Sequence, residues 1–335
     1  MRILAALLLG FASVALPCYA LDETAAHSEA PAANEICTGK AANRQVRLVH
    51  EQNKFVLVGS RKRSYHVHIP EGYKGSPLPL VIVLHGGLGN QLVARWDSKM
   101  SSKADADGFF AVYPNGTGRQ GSPLLTWNVG QCCGIASRNQ VNDILFLRKV
   151  IEKMRADYQI DPDRIYIAGI SNGGMLAYEA GREMGDVLAA VAPVAGCMFD
   201  TTTPARAPVS VIAFHGTRDN VIPYNGGVGS VFGYKIHSLP VSAAIEFWSR
   251  NDRCSGAPVI EKSSAVVRET YEHGANGTEV RLCTVLDEPH AWSGGRAAWP
   301  PWRVPSHRFS TTDEMCDFFW KHPRLHGEAA PSPAP

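Results

Sequence analysis

The segment Gly169-Ile170-Ser171-Asn172-Gly173-Gly174 matches the pattern G-x-S-x-G, which sets a serine between two glycines. A serine hydroxyl becomes a useful nucleophile when a neighbouring base takes its proton. An apolar run, Ile165–Ala168, precedes the pattern, and a helical pattern, Met175–Met184, follows it. A sharp turn between strand and helix exposes the hydroxyl and aims the first helical amides at the reacting oxygen. We therefore predict that Ser171 is a catalytic nucleophile.

The base that activates such a serine is a histidine held by a carboxylate, and the usual chain order is serine, acid, histidine. Asp219 ends the segment His215-Gly216-Thr217-Arg218-Asp219, directly after the apolar run Val209–Phe214. We predict that Asp219 is the acid. Asp200, after an earlier strand, is the alternative, whereas Asp287 lies too close in sequence to the candidate histidine.

His290 lies downstream of Asp219, after the predicted strand Glu279–Leu286 and before the last predicted helix. This is the position that the base should occupy, and we predict that His290 is the base. His273, in a glycine-containing loop, is the next candidate and His307 the third. His215 precedes the acid, so we expect it to pack at the end of its strand.

Acyl transfer also needs hydrogen-bond donors for the developing oxyanion. The segment His85-Gly86-Gly87-Leu88 follows the apolar run Leu78–Leu84, which is the usual place for such a loop. We predict that the amide of Gly87 or Leu88 is one donor and the amide of Asn172 the other.

Four other residues are candidates for contact with substrate, and ordinary packing within a loop is the alternative for each. They are His85, Trp127, Asn128 and Trp292, the last in an aromatic segment that continues to Trp299 and Trp302. No cysteine or histidine spacing resembles a zinc or haem motif, so we expect no metal and no cofactor.

Strand and helix patterns alternate along the chain, which predicts an α/β fold with a mostly parallel sheet and helices on both faces. Such a sheet presents reactive residues in loops at the carboxyl ends of its strands. Together with the serine turn, this pattern indicates the α/β-hydrolase fold. The predicted strands are Lys54–Val58, Tyr65–Ile69, Leu78–Leu84, Phe109–Tyr113, Arg164–Gly169, Leu188–Val194, Val209–Phe214, Ala265–Tyr271 and Glu279–Leu286, and the further helices are Asp143–Tyr158, Val241–Asn251 and Thr311–Trp320.

At the N-terminus, Arg2 precedes the apolar run Ile3–Leu16, and Cys18-Tyr19-Ala20 offers a cleavage site. We expect residues 1–20 to be a signal peptide, with a lipid anchor at Cys18 as the alternative, and the protein to be secreted, either outside the cell or into a periplasm. Residues 21–43 have the composition of a flexible segment, 44–326 should form the catalytic domain, and 327–335 a disordered tail.

The net charge is only +2 in 335 residues, which favours neither nucleic-acid binding nor disorder. No later apolar run is long enough to span a bilayer, so we expect no stable membrane insertion. We expect a monomer whose partner is its ester substrate.

Export predicts disulfides, and seven cysteines remain after cleavage at residue 20. We predict a bridge between Cys254 and Cys283, from the end of a helix to a nearby strand. The adjacent Cys132 and Cys133 are expected to bond to other partners. For Cys197 and Cys316, the alternative to a disulfide is an inert buried thiol.

These motifs together resemble the secreted polyhydroxybutyrate depolymerase-like esterases, a family that includes feruloyl and acetylxylan esterases. The resemblance extends from about Tyr65 to Trp320. It is carried by His85-Gly86-Gly87, Tyr113-Pro114-Asn115-Gly116, Trp127-Asn128, Cys132-Cys133-Gly134, Gly169 to Met175, His215 to Asp219 and His290-Ala291-Trp292.

The resemblance implies catalytic roles for Ser171, Asp219 and His290, in agreement with the residue patterns. Four residues depart from the family pattern: Asn142, Glu288, Pro289 and Ser293. The expected activity is hydrolysis of feruloyl or acetyl esters of plant polysaccharide, or of hydroxyalkanoate esters. A serine peptidase on the same fold and a catalytically silent binding protein are the alternatives.

Overall fold

A computed structural model describes residues 50–130, 132–231, 234–296 and 304–325. The predicted signal peptide, the segment 21–43, the tail 327–335 and Cys37, Trp299 and Trp302 lie outside the described residues. Within these ranges, no helix has the length and apolar character needed to cross a membrane.

In the described part of the chain, the main sheet contains ten strands in the order β1-β2-β4-β3-β5-β6-β7-β12-β11-β10. From β4 to β12 in that order neighbouring strands run parallel, and the strands at both edges pair antiparallel. The predicted mostly parallel sheet is thus confirmed. The strands are β1 (Glu51–Val58), β2 (Arg61–His68), β3 (Leu78–Leu84), β4 (Phe110–Pro114), β5 (Ile160–Ile170), β6 (Ala190–Val194), β7 (Ser210–Gly216), β8 (Gly227–Val231), β9 (Tyr234–Ser238), β10 (Val259–Lys262), β11 (Val266–Tyr271) and β12 (Val280–Val285).

Helices cover both faces of this sheet, as predicted. They are α1 (Gln91–Ser98), α2 (Met100–Asp107), α3 (Gly134–Arg138), α4 (Asp143–Asp157), α5 (Asn172–Met184), α6 (Val241–Asn251) and α7 (Thr311–Lys321). Side chains alternate along β5, so Ile165 and Ile167 join one buried cluster with α4, α5 and α6. Tyr166 and Ala168 join a second cluster with α1, α2 and α7.

The elements that sequence patterns did not predict are short or weakly apolar. Helices α1 and α2 have eight residues each, and the apolar side chains that they bury are few, namely Ala94, Met100 and Ala104. The separate β8–β9 hairpin has strands of only five residues, and the edge strand β10 is exposed at all four of its positions, so it lacks the alternation that marks a half-buried strand. Strand β5 begins at Ile160, four residues before the prediction, because the chain stays extended through Asp161-Pro162-Asp163.

A polar cluster ties the first hairpin to α1 and α2. Glu51 on β1 contacts His66, His68 and Arg95, and His68 Nε2 lies 2.8 Å from Oδ1 of Asp105. Burial alone would raise the pKa of Glu51, but hydrogen bonds from His66 and His68 and the charge of Arg95 lower it to about 2. Helix α1 is thereby held at its C-terminal half against the sheet.

The predicted bridge between Cys254 and Cys283 is wrong, since both residues are free thiols. Cys254 packs against the cluster under α6, whereas Cys283 points into the cluster on the opposite face of the sheet. Cys132 and Cys133 are instead joined to each other, which also corrects our expectation for that pair. Cys197 and Cys316 are free and buried.

Asp252, at the end of α6, is fully buried and its carboxylate is poorly paired. Oδ1 accepts from Asn251 Nδ2 at 3.0 Å and from the Val209 amide at 3.4 Å, and Thr278 also lowers the pKa of the carboxyl, but Oδ2 has no hydrogen-bond partner among the described residues. Burial raises the pKa of Asp252 to about 7 from 3.8. The native state therefore binds more protons than the unfolded state between these values, and the free energy of unfolding should fall as the pH rises through this window.

We predict that Asp252→Asn removes this loss of stability with rising pH. At about pH 8 the variant should exceed the wild type by about 1–3 kcal/mol in free energy of unfolding, and at about pH 4 the two should agree within about 1 kcal/mol. Urea unfolding at both pH values measures the difference. Asp317→Asn, an exposed substitution on α7, is the control and should leave the wild-type pH dependence in place. Parallel curves for Asp252→Asn and the wild type would contradict the prediction.

Candidate active site

Ser171 lies at the turn between β5 and α5, as predicted. Its backbone has φ 57° and ψ −121°, a combination that non-glycine residues rarely adopt. The Ser171 amide donates to the carbonyl of Val194 on the neighbouring strand β6 at 2.8 Å. Ser171 is partly exposed, whereas Ile170 and Asn172 beside it are buried. The turn therefore presents the hydroxyl to solvent from an otherwise buried stretch.

The glycines on both sides of Ser171 are required by close backbone contacts. A Cβ on Gly169 would lie 2.5 Å from the carbonyl oxygen of Gly173, and a Cβ on Gly173 would lie 2.5 Å from the carbonyl oxygen of His85. Real Cβ atoms do not approach oxygens this closely. Glycine is thus required at both positions for the turn to pack against the end of β3.

Asp219 and His290 form a buried hydrogen-bonded pair. Nδ1 of His290 donates to Oδ2 of Asp219 at 2.7 Å, and both residues are only 5% exposed. A carboxylate only accepts, so this contact places the proton on Nδ1 and leaves a lone pair on Nε2. A histidine in this tautomer can take a proton from a serine hydroxyl.

The carboxylate of Asp219 is fully engaged by its own loop. Oδ1 accepts the amides of Val221 and Ile222 at 2.8 and 2.9 Å, and Nε2 of His215 lies 3.3 Å from Oδ2. Burial alone would raise the pKa of Asp219, but the charge of His290 and the hydrogen bonds from both histidines hold it well below its usual range. These contacts favour the ionised form of Asp219 beside His290.

His215 has a second function that its sequence position did not reveal. It packs at the end of β7, as expected, and its Nε2–H donates to the carbonyl of Ile222 at 2.7 Å. The same ring lies against Asp219, so it fixes the loop that carries the acid. In the sequence, the position of His215 four residues before Asp219 is the feature that could have indicated this role.

The three candidate residues lie at one edge of the sheet. Ser171 follows β5, Asp219 follows β7 and His290 follows β12, and these strands belong to the same parallel set. The carboxyl ends of parallel strands meet at one edge, which is where this architecture places reactive loops. The arrangement can support nucleophilic attack by a serine assisted by a histidine.

The loop after β3 approaches the same turn, but only part of the predicted oxyanion site is available. The Leu88 amide donates to the carbonyl of Leu125 at 2.8 Å, so the prediction of Leu88 as a donor is wrong. A Cβ on Gly87 would lie 3.7 Å from Cβ of Asn172, which sets Gly87 beside the first residue of α5. The amides of Gly87 and Asn172 remain the proposed donors.

His85 and Trp127 are structural, which corrects their predicted contact with substrate. Both are fully buried, and their rings pack 4.7 Å apart between centroids. His85 Nε2 accepts the Gly116 amide at 3.0 Å and its Nδ1 lies 2.7 Å from the carbonyl of Gly86. Burial lowers the pKa of His85 to about 4, so the ring is neutral and holds the loop without charge.

The side chain of Asn172 joins this assembly to the nucleophile turn. Its Oδ1 accepts the Trp127 amide at 2.7 Å and its Nδ2 donates to the Trp127 carbonyl at 3.2 Å. Trp127 Nε1 in turn donates to the carbonyl of His85 at 2.9 Å. One tryptophan thus connects the loop after β3 to the residue that follows Ser171.

Of the other two predicted substrate contacts, the prediction for Trp292 is also wrong. It is 2% exposed and its Nε1 donates to Oγ1 of Thr312 at 2.9 Å, so it packs the loop after His290 onto α7. Asn128 is partly exposed, with its Nδ2 bonded to the carbonyl of Val141 and its amide to Asp143. Its contact with substrate stays a prediction.

Glu288 was not among the predicted site residues, yet it fixes the segment that leads to His290. Its buried carboxylate accepts the Ser306 amide with both oxygens, at 3.1 and 3.0 Å, and bonds to Ser293. Burial raises the pKa of Glu288. Two of the residues that depart from the family pattern, Glu288 and Ser293, are therefore hydrogen-bonded to each other.

The chain belongs to the family described as esterase PHB depolymerase, whose model matches residues 63–240, just over half of the sequence. This match includes Ser171 and Asp219 and ends before His290.

Similar proteins carry esterase names. Feruloyl esterase B of Piromyces equi is 33% identical over 250 residues, which cover 71% of this chain and 44% of that protein. Poly(3-hydroxyalkanoate) depolymerase C of Paucimonas lemoignei is 27% identical over 225 residues, which cover 67% of this chain and 51% of that protein. This chain thus spans about half the length of these relatives, or less.

A solved structure of a thermostable esterase superimposes with a TM-score of 0.56 at 18% identity, covering 83% of this chain and 64% of that one. At this identity the similarity concerns the fold alone. The fold is that of the α/β hydrolases, as predicted from the strand and helix pattern.

If Asp219 orients His290, Asp219→Asn should lower kcat for a small ester by about 10³–10⁴-fold, because an amide favours the wrong tautomer of the imidazole. Initial rates with p-nitrophenyl acetate measure the loss. Asp200→Asn is the matched control, since Asp200 caps a surface turn through Thr202 and Thr203 and should leave kcat unchanged. A large loss in Asp200→Asn with none in Asp219→Asn would reverse the assignment of the acid.

Proposed function

We propose that this chain is a serine carboxylesterase with Ser171 as nucleophile, His290 as base and Asp219 as the acid that orients the base. The observation that carries the proposal is the buried Asp219–His290 pair at the sheet edge that also bears the strained Ser171 turn. Membership of an esterase family supports the same chemistry.

In the proposed reaction, Oγ of Ser171 attacks the acyl carbon while its proton moves to Nε2 of His290. The ester C–O bond breaks, and the alcohol leaves with that proton. Water then gives a proton to His290 and attacks the acyl carbon. The bond between that carbon and Oγ breaks, the acid is released, and His290 returns the proton to Oγ of Ser171. The amides of Gly87 and Asn172 stabilise the oxyanion in both steps.

The proposed substrates are feruloyl or acetyl esters of plant polysaccharide, or hydroxyalkanoate esters. The names of the similar proteins support these classes, since one is a feruloyl esterase and another a poly(3-hydroxyalkanoate) depolymerase. Export is part of the proposal and rests on the signal-peptide pattern of residues 1–20. The monomeric state stays a prediction.

Ser171→Ala tests the nucleophile. The variant should lose at least about 10⁴-fold in kcat on every ester that the wild type hydrolyses, because no covalent intermediate can form. The substrates are p-nitrophenyl acetate, methyl ferulate, acetylated xylan and polyhydroxybutyrate, each assayed beside the wild type.

Ser210→Ala provides the control, because Ser210 is a buried serine at the start of β7, at the opposite end of the strand from Asp219. Wild-type rates in Ser171→Ala would refute the proposed nucleophile. Turnover of peptides without turnover of esters would favour the peptidase alternative, and turnover of neither would favour a binding protein.

A further inference from the structure

His290 lies in a loop, residues 288–294, whose centre has no backbone hydrogen bond of its own. In the described part of the chain, no backbone–backbone hydrogen bond includes Pro289, His290 or Ala291. Asp219 holds the ring of His290, but this contact fixes the ring only as well as the loop behind it is fixed. A displacement of about 1 Å at a reacting group can cost about 100-fold in rate. The position of this loop is therefore a requirement of the proposed reaction.

Glu288 and the backbone of Ser306 close the loop from both ends. Both oxygens of the Glu288 carboxylate accept the Ser306 amide, at 3.1 and 3.0 Å. The carbonyl of Ser306 in turn accepts the amide of Gly294 at 2.7 Å. Glu288 also hydrogen-bonds to Ser293, so one carboxylate contacts residues beyond the far end of the loop and within it. These contacts span the loop where its own backbone makes none.

The backbone of Glu288 connects the same loop to the acid. Its carbonyl accepts the amide of Arg218 at 3.0 Å, and Arg218 is the residue before Asp219. Gly216 allows this approach, because a Cβ there would lie 2.2 Å from the carbonyl oxygen of Glu288. Glu288 thus joins the loop that carries His290 to the loop that carries Asp219, through a contact separate from the hydrogen bond between these two side chains.

Burial of this glutamate is costly, which indicates a role beyond filling space. Glu288 is 1% exposed, and its carboxyl lies among loop segments that an apolar side chain of similar size could also pack against. Burial raises the pKa of the carboxyl, and hydrogen bonds from Ser293 and Ser306 offset this increase only in part. What the carboxylate supplies in return is the placement of the backbone on both sides of His290.

We propose that Glu288, acting together with Ser293, is the positioning residue for His290. The inference rests on the proposed esterase function and extends it, since it names the contacts that hold the base in place for proton transfer from Ser171. Asp219 sets the tautomer of the imidazole, and Glu288 sets where the imidazole lies. Glu288 and Ser293 both depart from the family pattern, so the device belongs to this chain and not to the shared mechanism.

Glu288→Ala tests the proposal with p-nitrophenyl acetate as substrate. The variant should lose about 30–100-fold in kcat, because His290 is no longer held in one position. KM should change by less than about twofold, since the contacts with substrate stay in place. Glu288→Gln should keep kcat within about threefold of the wild type, because its amide oxygen still accepts the Ser306 amide. A merely structural role would lower the melting temperature without this split between kcat and KM.

The proton on Nδ1 of His290 gives a second readout that does not depend on turnover. Because this proton is hydrogen-bonded to a carboxylate, its NMR resonance should lie far downfield in the wild type. The resonance should keep its position in Glu288→Gln and should shift or broaden in Glu288→Ala. Asp219→Asn removes the carboxylate and thereby assigns the resonance to His290.

Ser293→Ala tests whether the two residues act as one unit. Alone it should lower kcat by about 3–10-fold, and in the Glu288→Ala background it should change kcat by less than about twofold, because effects within one hydrogen-bond network do not add. If Glu288→Ala does not fold, Glu288→Asp replaces it. The aspartate keeps the charge but is one methylene too short for the Ser306 amide, so kcat should fall by about 10-fold or more.

Glu279→Ala is the matched control, because Glu279 is a partly buried glutamate directly before β12, at the opposite end of that strand from His290. It should lower the melting temperature through loss of its ion pair with Arg281, while kcat stays within about twofold of the wild type.

Several outcomes would overturn the proposal. They are wild-type kcat in Glu288→Ala, equal losses of kcat in Glu288→Ala and Glu279→Ala, equal losses in Glu288→Ala and Glu288→Gln, and an unchanged His290 resonance in Glu288→Ala. Each of them is distinct from failure of the esterase proposal, in which Ser171→Ala would leave ester turnover unchanged.

Discussion

The site depends on one close backbone contact, the approach of the Ser171 turn to the end of β3. A left-handed serine is costly by about 1–3 kcal/mol, and the strain persists only where the surroundings hold it. Here the amide bond to Val194 holds the turn from one side, and the contact between Gly173 and the carbonyl of His85 holds it from the other. Because β3 continues directly into the loop with Gly87, the same contact also determines where the proposed oxyanion donor lies. The proposed nucleophile and the proposed donor are thus positioned by a single constraint.

The buried rings around this contact explain why its geometry is maintained. Neutral His85 bonds backbone on both ring nitrogens, and Trp127 lies against it and bonds its carbonyl. Asn172 closes the connection by bonding both backbone groups of Trp127. Loss of any one of these partners would leave a buried polar group without its hydrogen bond, at a cost of about 1–3 kcal/mol. The aromatic residues that resemble a binding surface in the sequence therefore support the loop that carries Gly87.

The positions of Ser171, Asp219 and His290 could be predicted because each follows an apolar strand and because the required chain order excludes most alternatives. The parallel sheet could be predicted for the same reason, since Leu78–Leu84 and Val209–Phe214 are apolar throughout. Burial of the loop residues Trp127 and Trp292 could not be predicted, because neither lies in a periodic apolar pattern that would indicate the direction of its side chain. The sequence contained evidence against a bridge between Cys254 and Cys283. Because side chains alternate along β12, Cys283 lies on the face of the sheet opposite to Val280 and Leu282, which pack with α6. A bridge would have needed to cross the sheet.

The buried carboxylate of Asp219 and the buried guanidinium of Arg63 are each held by partners inside the protein. At the proposed reaction centre, Asp219 accepts the amides of Val221 and Ile222, so its charge acts on His290 and is hidden from solvent. On β2, Arg63 pairs with Asp143 at 2.8 Å. Removing one partner of a buried pair leaves the other charge without a counterion, which costs about 3–5 kcal/mol. Substitution of Asp219 would therefore disturb the buried surroundings of His290 as well as its orientation.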